Sequence, residues 1–353
     1  MPLKVVITAD PFLPVPPRHY GGIERIIDLL VRGLVDRGHD VTLICHSDSE
    51  VPCAVVRYPR IPLDSPLSAF RHACCVTAAI MGKGYDIVHN FGRLAYLTCL
   101  LPFSPPILMT YQRRITPRAV VMATRLSRGN LTLCAVSERM VSGLRYLGDW
   151  HVVYNAVPER IFEPRNEFDA NAPLLFLGRI EHIKGTHLAI EVASRSRRRL
   201  IIAGNVPESE EHRRYFRERI SPAIDGEHIS YIGPVDDKAK AKLLQRGAAL
   251  LMPILWDEPF GIVMAEALAC GTPVIGLNRG SVPEVVDHGI TGFVCDSTAE
   301  MVTAVSRLEE IDRTKCRHSM ESRFSAKVLV DSYESIYRRM LSKRDPALVG
   351  KHG

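Results

Sequence analysis

The sequence predicts an α/β protein made of two doubly wound domains that face each other across a cleft. Short, almost continuously apolar segments alternate with helix-length segments throughout the 353 residues, as in parallel sheets covered on both faces. This pattern occurs twice, and a polar stretch with three prolines at 157–173 separates the two occurrences and indicates a linker. Ligands of such domains are expected at the carboxyl ends of the strands.

Length and composition agree with this class. The chain suits two domains of roughly 170 residues each. Its hydrophobic share of 46% and charged share of 24% are ordinary for a soluble globular protein. Nine scattered cysteines without C-x-x-C spacing indicate reduced thiols. Because the sequence enters a strand at once, with no signal peptide before it, we expect a cytoplasmic protein.

The first domain is predicted to span residues 1–160. Its expected strands are KVVITAD, DVTLICH, DIVHNF, PILMTY, LTLCAVS and HVVYNAV. After the first strand, a long loop leads to Gly21 and Gly22, which open an amphipathic helix. These glycines let the backbone approach a ligand, although a simple turn would use them equally. The fingerprint G-x-G-x-x-G is absent from the sequence, which argues against an NAD enzyme.

The second domain is predicted to span residues 170–324. Its expected strands are PLLFLGRI, RLIIAG, ISYIGPV, ALLMPI, TPVIGL and GFVCD. The first strand is followed by Arg179 and Lys184, before a helix that begins near Thr186. Two cations in a strand-to-helix loop can clamp a diphosphate, or they can simply belong to the solvated surface.

Two glutamates stand on either side of a Pro-Phe-Gly break in the apolar segment DEPFGIVMAEALACGTPVIG, residues 257–276. Pro259 biases Glu258 away from helical dihedral angles, and Glu266 lies inside the helix that follows. The two backbones are then roughly 12 Å apart, which suits a hydrolytic carboxylate pair poorly.

Free backbone amides lie between these glutamates, at the positive end of the predicted helix. They belong to Phe260, Gly261 and Ile262. A nucleotide sugar fits this arrangement, with its diphosphate at the helix N-terminus and hydroxyl groups on the two carboxylates. The alternative is a capped surface helix with two solvated glutamates.

Positive charge is concentrated in the first half of the chain. Residues 1–165 contain 19 Lys and Arg against 13 Asp and Glu, and the remainder contains 26 of each. Five arginines lie between 113 and 128: Arg113, Arg114, Arg118, Arg125 and Arg128. They form a solvated helix face, or they bind an anionic acceptor or an anionic membrane surface.

In combination, four segments resemble glycosyltransferase family 4, whose members have the GT-B fold. They are YGGIER at 20–25, GRIEHIKG at 178–185, EPFGIVMAE at 258–266 and GSVPEVVDHGITGFVC at 280–295. The resemblance covers nearly the whole chain. It also implies that a closing helix at about 325–342 packs back on the first domain.

The resemblance implies a role for each motif. Glu266 would hold the donor ribose and Glu258 the hydroxyls of the transferred sugar. Arg179 and Lys184 would neutralise the leaving diphosphate, which makes them, with Glu258, the expected catalytic residues. The remaining expected donor-binding residues are Gly21, Gly22, Gly204, Phe260, Gly261 and Ile262. The donor would be a nucleotide diphosphate sugar, with UDP or GDP as its nucleotide.

No cofactor or metal ion is expected. The sequence contains no D-x-D and no His/Cys cluster with ligand spacing. Family members retain the anomeric configuration, so a retaining hexosyltransferase is implied. The acceptor would be a glycan or a lipid-linked molecule, with peripheral contact to the inner face of an anionic membrane. No nucleic acid partner is expected.

One position departs from the family pattern. The family has a histidine after the strand PILMTY, where this chain has Gln112, which cannot carry a proton. His89 ends a neighbouring strand and could replace it, or it could be structural. With Arg113, these residues form the predicted acceptor side. Two rival functions remain open: a GT-B nucleotide-sugar epimerase, and a catalytically weak nucleotide-sugar-binding partner protein.

Overall fold

The computed structural model describes residues 1–17, 21–59, 67–103, 105–165, 169 and 171–344. The described residues form two units, one made of 1–155 with 326–344 and the other of 156–325. Each unit contains one parallel sheet with helices attached, which confirms the predicted α/β class. Tyr20 and part of the predicted linker lie outside the described residues.

The first unit is built on a seven-stranded sheet. Its strands are β1 (Lys4–Thr8), β2 (Asp40–Cys45), β3 (Ala54–Arg57), β4 (Ile87–Asn90), β5 (Ile107–Tyr111), β6 (Leu131–Ala135) and β7 (Trp150–Val152). They are ordered β3-β2-β1-β4-β5-β6-β7, and all neighbours are parallel. The apolar runs predict six of these strands and miss β3, a partly exposed edge strand of only four residues, AVVR.

Amphipathic helices cover this sheet. They are α1 (Gly22–Asp36), α2 (Ser68–Ile80), α3 (Pro117–Leu126) and α4 (Glu138–Val141). Helix α1 buries one side, with Ile26, Ile27, Leu30 and Leu34 inaccessible to solvent. This is the apolar stripe that the sequence predicts for the helix after the double glycine.

The second unit has a six-stranded sheet. Its strands are β8 (Leu174–Leu177), β9 (Leu200–Ala203), β10 (Ile229–Tyr231), β11 (Ala249–Met252), β12 (Val274–Leu277) and β13 (Gly292–Cys295). They are ordered β10-β9-β8-β11-β12-β13 and are all parallel. Each of the six apolar runs of the second half therefore contains one strand.

Seven helices within the described part of the second unit connect or flank these strands. They are α5 (Thr186–Ser196), α6 (Glu210–Tyr215), α7 (Asp237–Arg246), α8 (Ile262–Ala269), α9 (Val282–Val285), α10 (Thr298–Ser306) and α11 (Arg313–Arg323). The unit begins at residue 156, ahead of the expected 170, because Val157 pairs with Ser325 and Phe162 is buried. The stretch interpreted as a linker thus contributes packing residues.

The last helix, α12 (Ala326–Arg344), belongs to the first unit. It packs on α1, where a Cβ added to Gly33 would collide with the side chain of Val330. Arg37, the residue directly after α1, also forms ion pairs with Asp331 and Glu334 of α12, at 2.6 and 2.8 Å. Both a small residue and complementary charge therefore hold this helix against α1 of the first unit.

Candidate functional site

In the second unit, the order of strands reverses between β8 and β11. The chain continues from β8 to β9 and β10 on one side, and from β11 to β12 and β13 on the other. The loops after β8 and β11 therefore diverge at the carboxyl edge, which is where open α/β sheets bind ligands. Arg179 and Lys184 follow β8, and Glu258 follows β11. Sheet topology thus places three of the predicted site residues at one edge.

Backbone contacts join the two loops. The amide of Leu255 donates a hydrogen bond of 2.8 Å to the carbonyl oxygen of Ile183. Gly185, with φ +75°, lies so close to the other loop that an added Cβ would collide with the carbonyl oxygen of Pro253. A Cβ added to Gly280, which has φ +53°, would likewise collide with the backbone of Glu258. Side chains at these glycines would push the loops apart.

Glu258 is held by two neighbouring side chains. Lys184 Nζ forms an ion pair with its Oε2 oxygen. The indole Nε1 of Trp256 donates a 3.0 Å hydrogen bond to the same oxygen. The Glu258 side chain is 12% exposed, so it is not a solvated surface group. Sequence reasoning missed Trp256, although a tryptophan two residues before the glutamate was visible.

Glu266 has a corresponding arrangement on α8. Its side chain is 4% exposed and forms a 2.6 Å ion pair with Lys240 of α7. Lys240 also lies 3.2 Å from Asp237 and 5.1 Å from the centroid of the Phe162 ring. The alternative of two solvated glutamates is therefore wrong, because both are largely buried and paired with lysines. Lys240 was missed, since nothing in the sequence links it to a residue 26 positions later.

The N-terminus of α8 lies between the two glutamates in sequence. Helix α8 begins at Ile262, and Gly261 precedes it with φ +69° and makes no side-chain cap. Phe260 is buried, and its carbonyl oxygen accepts a 2.7 Å hydrogen bond from the hydroxyl of Ser281. Of the three predicted amides, that of Ile262 belongs to the first turn, whereas Phe260 and Gly261 lie just before it. An uncapped helix start of this kind suits an anion.

The remaining predicted residues of this unit lie at neighbouring strand ends. The side chain of Arg179 is 38% exposed and forms a 2.9 Å ion pair with Glu181. Gly204 follows β9, and a Cβ there would collide with the carbonyl oxygen of Gly178 after β8. Tyr231 donates a 2.8 Å hydrogen bond to the carbonyl oxygen of Gly204. The ends of β8, β9 and β10 are thus closely packed around Gly204, one of the expected donor-binding residues.

In the first unit, Gly21 and Gly22 lie at the start of α1, as predicted. Gly21 has φ +153°, and an added Cβ would lie 2.6 Å from Pro17 and 2.9 Å from the carboxylate of Glu24. Glu24 itself is 3% exposed, and burial raises the pKa of its carboxyl group. Glycine is therefore required at 21 for both conformation and space.

Arg113 has a buried partner that sequence reasoning missed. Its guanidinium lies 3.0 Å from Oδ2 of Asp10, which is two residues after the end of β1. The side chain of Asp10 is 4% exposed. Burial raises the pKa of Asp10, although Arg113 and Arg93 act in the opposite direction. Gln112 exchanges two amide hydrogen bonds with Asn155, at 2.8 and 2.9 Å. Arg113 is thus part of an ion pair instead of a bare cation.

His89 is inaccessible to solvent. One ring nitrogen lies 2.6 Å from the hydroxyl of Tyr337 and the other 2.8 Å from the hydroxyl of Thr110. Burial holds the pKa of His89 well below its usual range, so the ring is neutral. Both nitrogens are already used inside the unit. This placement favours the structural interpretation of His89 over contact with an acceptor.

Two further features bear on the type of site. Among the described residues, no group of three or more His, Cys, Asp or Glu side chains is arranged to hold a metal ion. None of the helices in the described ranges combines the length and hydrophobicity that a membrane crossing requires.

Family models match both halves of the chain. The model described as Glycosyltransferase Family 4 matches residues 20–160, and the model described as Glycosyl transferases group 1 matches residues 158–324. Together they include every predicted site residue.

Individual relatives match with lower coverage. N-acetyl-alpha-D-glucosaminyl L-malate synthase of Bacillus anthracis is 33% identical over 33% of this chain and 32% of its own length. An uncharacterized 41.2 kDa protein in the cps region of Klebsiella pneumoniae is 31% identical over 53% of this chain and 54% of its own length. The matched part thus spans about a third to a half of these relatives.

Solved structures share the fold over almost the entire chain. Sucrose-phosphate synthase from Thermosynechococcus elongatus has a TM-score of 0.79 and 18% identity, over 96% of this chain and 99% of its own. HepE from Anabaena in complex with UDP and glucose has a TM-score of 0.72 and 16% identity, over 95% and 99%. At these identities the likeness shows the fold alone.

Proposed function

Because this chain belongs to the family 4 glycosyltransferases with the GT-B fold, we propose that it transfers a hexose from a nucleotide diphosphate sugar to an acceptor. The observation that carries this proposal is the pairing of Lys184 with Glu258 at the switch point of the second sheet, beside the uncapped start of α8. A cation for the leaving diphosphate and a carboxylate for sugar hydroxyls are thereby adjacent.

The donor is proposed to bind in the second unit. Its diphosphate would contact Lys184, Arg179 and the first-turn amides of α8, where charge develops as the glycosidic bond breaks. Glu258 would accept hydrogen bonds from hydroxyls of the transferred sugar, and Glu266 from the ribose. A UDP-sugar is the favoured donor, since HepE binds UDP, and a GDP-sugar is the second choice.

The reaction is proposed to retain the anomeric configuration and to need no metal ion. Arg179 and Lys184 supply the positive charge that a divalent cation would supply in other transferases. EDTA should therefore leave turnover unchanged. If EDTA abolishes turnover and added Mg²⁺ or Mn²⁺ restores it, the cations of the loop after β8 are not sufficient for the leaving diphosphate.

The acceptor is proposed to contact the first unit, near Gln112 and Arg113. A glycan hydroxyl suits this position, because Arg113 is already paired with Asp10 and Gln112 is a neutral donor and acceptor. A lipid-linked glycan could also be the acceptor, because its sugar hydroxyl would bind near Gln112 and Arg113 while its phosphate would contact other cationic residues of the first unit.

A thermal-shift screen of UDP-, GDP- and ADP-sugars tests the donor proposal. A donor present at 100 times its dissociation constant should add about 2.7 kcal/mol to the free energy of unfolding. The stabilising donor is then incubated with glycan acceptors, and products are separated. Sugar transfer supports the proposal, interconversion of donor epimers would establish the epimerase instead, and tight binding without turnover would indicate a binding partner protein.

A further inference from the structure

Trp256 contacts both members of the Lys184–Glu258 pair. Its indole Nε1 donates a 3.0 Å hydrogen bond to Oε2 of Glu258. Its ring lies 4.9 Å, measured to the centroid, from Nζ of Lys184. The side chain is partly exposed, and the carbonyl of Trp256 also accepts a 3.0 Å hydrogen bond from the amide of Glu258. One residue therefore supports the cation and the carboxylate together.

These contacts matter because two negatively charged groups, Glu258 and the leaving diphosphate, compete for the ammonium of Lys184. In the free protein, its ammonium is paired with Glu258. A leaving diphosphate carries more negative charge than a carboxylate and attracts the same ammonium. When Lys184 turns to the phosphate, Glu258 loses part of what fixes its orientation. The indole N–H is unaffected by that change, since it binds the carboxylate alone.

We infer that Trp256 is a positioning residue, which keeps Glu258 oriented toward the donor sugar while the ammonium of Lys184 contacts the diphosphate. This inference rests on the proposed donor site. Both observed contacts of Trp256 and Lys184 are made with Oε2 of Glu258, so Oε1 is the oxygen assigned to the sugar hydroxyl. The ring beneath Lys184 in turn limits the positions that the ammonium can take.

Phenylalanine at 256 separates the two contributions, because it retains a ring for Lys184 and removes the hydrogen bond to Glu258. In Trp256→Phe, kcat for release of UDP from UDP-glucose, or of GDP from GDP-mannose, should fall by about tenfold to a hundredfold. The dissociation constants of UDP and GDP, measured by calorimetry, should change by less than about twofold. Trp256→Leu, which also lacks the ring, should weaken nucleotide binding as well.

The chain offers a matched control, since it contains two tryptophans and the other, Trp150, is buried in β7 of the first unit. Trp150→Phe should leave turnover unchanged. In that variant, Trp256 is the only remaining tryptophan, so the tryptophan fluorescence reports on this residue alone. Its emission should change when Lys184 is replaced by Met without any nucleotide, and it should change saturably with UDP or GDP. In Trp256→Phe, the emission of Trp150 should not respond to either nucleotide.

The outcomes separate this inference from the proposed function. If UDP and GDP bind and Trp256→Phe turns over at the normal rate, the positioning role is wrong while the donor site stands. A fall in both kcat and nucleotide affinity, with a melting temperature lowered by more than a few degrees, would indicate a purely structural tryptophan and also overturn it. If neither nucleotide binds the unaltered protein, the proposed donor site fails and this inference fails with it.

Discussion

Glu258 and Glu266 each lie against a lysine that packs over an aromatic ring. Lys184 lies over Trp256, and Lys240 lies over Phe162. In both cases, the carboxylate is largely removed from water and would be costly to keep charged without its lysine. Two shared features, burial and a paired cation, therefore set both glutamates apart from ordinary surface glutamates. They differ in the part of the donor that each is proposed to bind.

This difference predicts different effects of isosteric substitutions. Glu266→Gln should weaken UDP or GDP binding by about tenfold, because a charge-assisted hydrogen bond to ribose becomes a neutral one. Glu258→Gln should reduce turnover at least as strongly while changing nucleotide affinity by less than about threefold. Calorimetry and initial rates measure the two effects, and Glu309→Gln, at an exposed position, is the control. Equal losses of nucleotide affinity would contradict the division of roles.

His89 allows a prediction about pH, because it is buried in its neutral form. The pKa of His89 is lowered by burial, whereas an unfolded histidine binds a proton near pH 6.5. Below that pH the unfolded chain takes up more protons, so the free energy of unfolding should fall. The slope from this one group is at most about 1.4 kcal/mol per pH unit.

Urea denaturation at several pH values measures this slope. His89→Gln should cost about 1–3 kcal/mol at neutral pH, because Tyr337 and Thr110 lose well-placed partners. It should also flatten the dependence on pH between about 6.5 and 5. His318→Gln, at an exposed position of α11, is the control substitution. An unaltered slope in His89→Gln would show that His89 is not buried neutral in solution.

Single residues also mark the limit of sequence reasoning. The sequence nominates Glu258, Glu266, Arg179 and Lys184 as site residues because motif spacing and helix boundaries are local properties of the chain. The partners Asp10 and Lys240 were not found, because sheet topology brings them to Arg113 and Glu266 from distant positions. Local sequence can therefore nominate a charged residue, but which opposite charge it meets is decided by tertiary structure.

At the level of elements, strands buried on both faces were predictable and the exposed edge was not. Runs such as LLFL of β8 and ALLM of β11 are entirely buried, so their sequences are continuously apolar. Strand β3, AVVR, is partly exposed, and its apolar run of three residues is too short to identify a strand. The same reasoning explains the early start of the second unit, because one buried aromatic residue, Phe162, lies in a stretch that is otherwise polar.

The loop after β8 supplies a prediction about element packing. Alanine at Gly185 would combine an unfavourable positive φ with a collision against the backbone of Pro253, and should cost about 2–5 kcal/mol. Gly226 has a similar φ of +80° with open space around its missing Cβ, so Gly226→Ala should cost about 1 kcal/mol. Chemical denaturation compares the two. Equal losses would mean that the close approach to Pro253 is not maintained in solution.

For the whole molecule, charge is divided between the two units. The excess of positive charge lies in the first half of the sequence, and helix α3 exposes part of it. Arg118 and Arg125 are exposed on α3, together with Met122 at 60% and Leu126 at 42% exposure. Cations beside exposed apolar side chains are the combination that binds the surface of an anionic bilayer. We therefore propose that this face of the first unit contacts an anionic membrane, where a lipid-linked acceptor would be located.

Co-sedimentation with vesicles tests this membrane proposal. The protein should sediment with vesicles of phosphatidylglycerol and phosphatidylcholine, remain in the supernatant with phosphatidylcholine alone, and dissociate as salt is raised. Each cation near the surface adds about 1 kcal/mol, so reversing Arg118, Arg125 and Arg128 to Glu should abolish binding. The matched control reverses three arginines of the second unit, Arg195, Arg217 and Arg307, which changes the net charge equally. Loss of binding in both triple variants would assign the effect to net charge. If the unaltered protein stays in the supernatant with anionic vesicles at low salt, the membrane proposal is wrong and a soluble glycan is the better candidate for the acceptor.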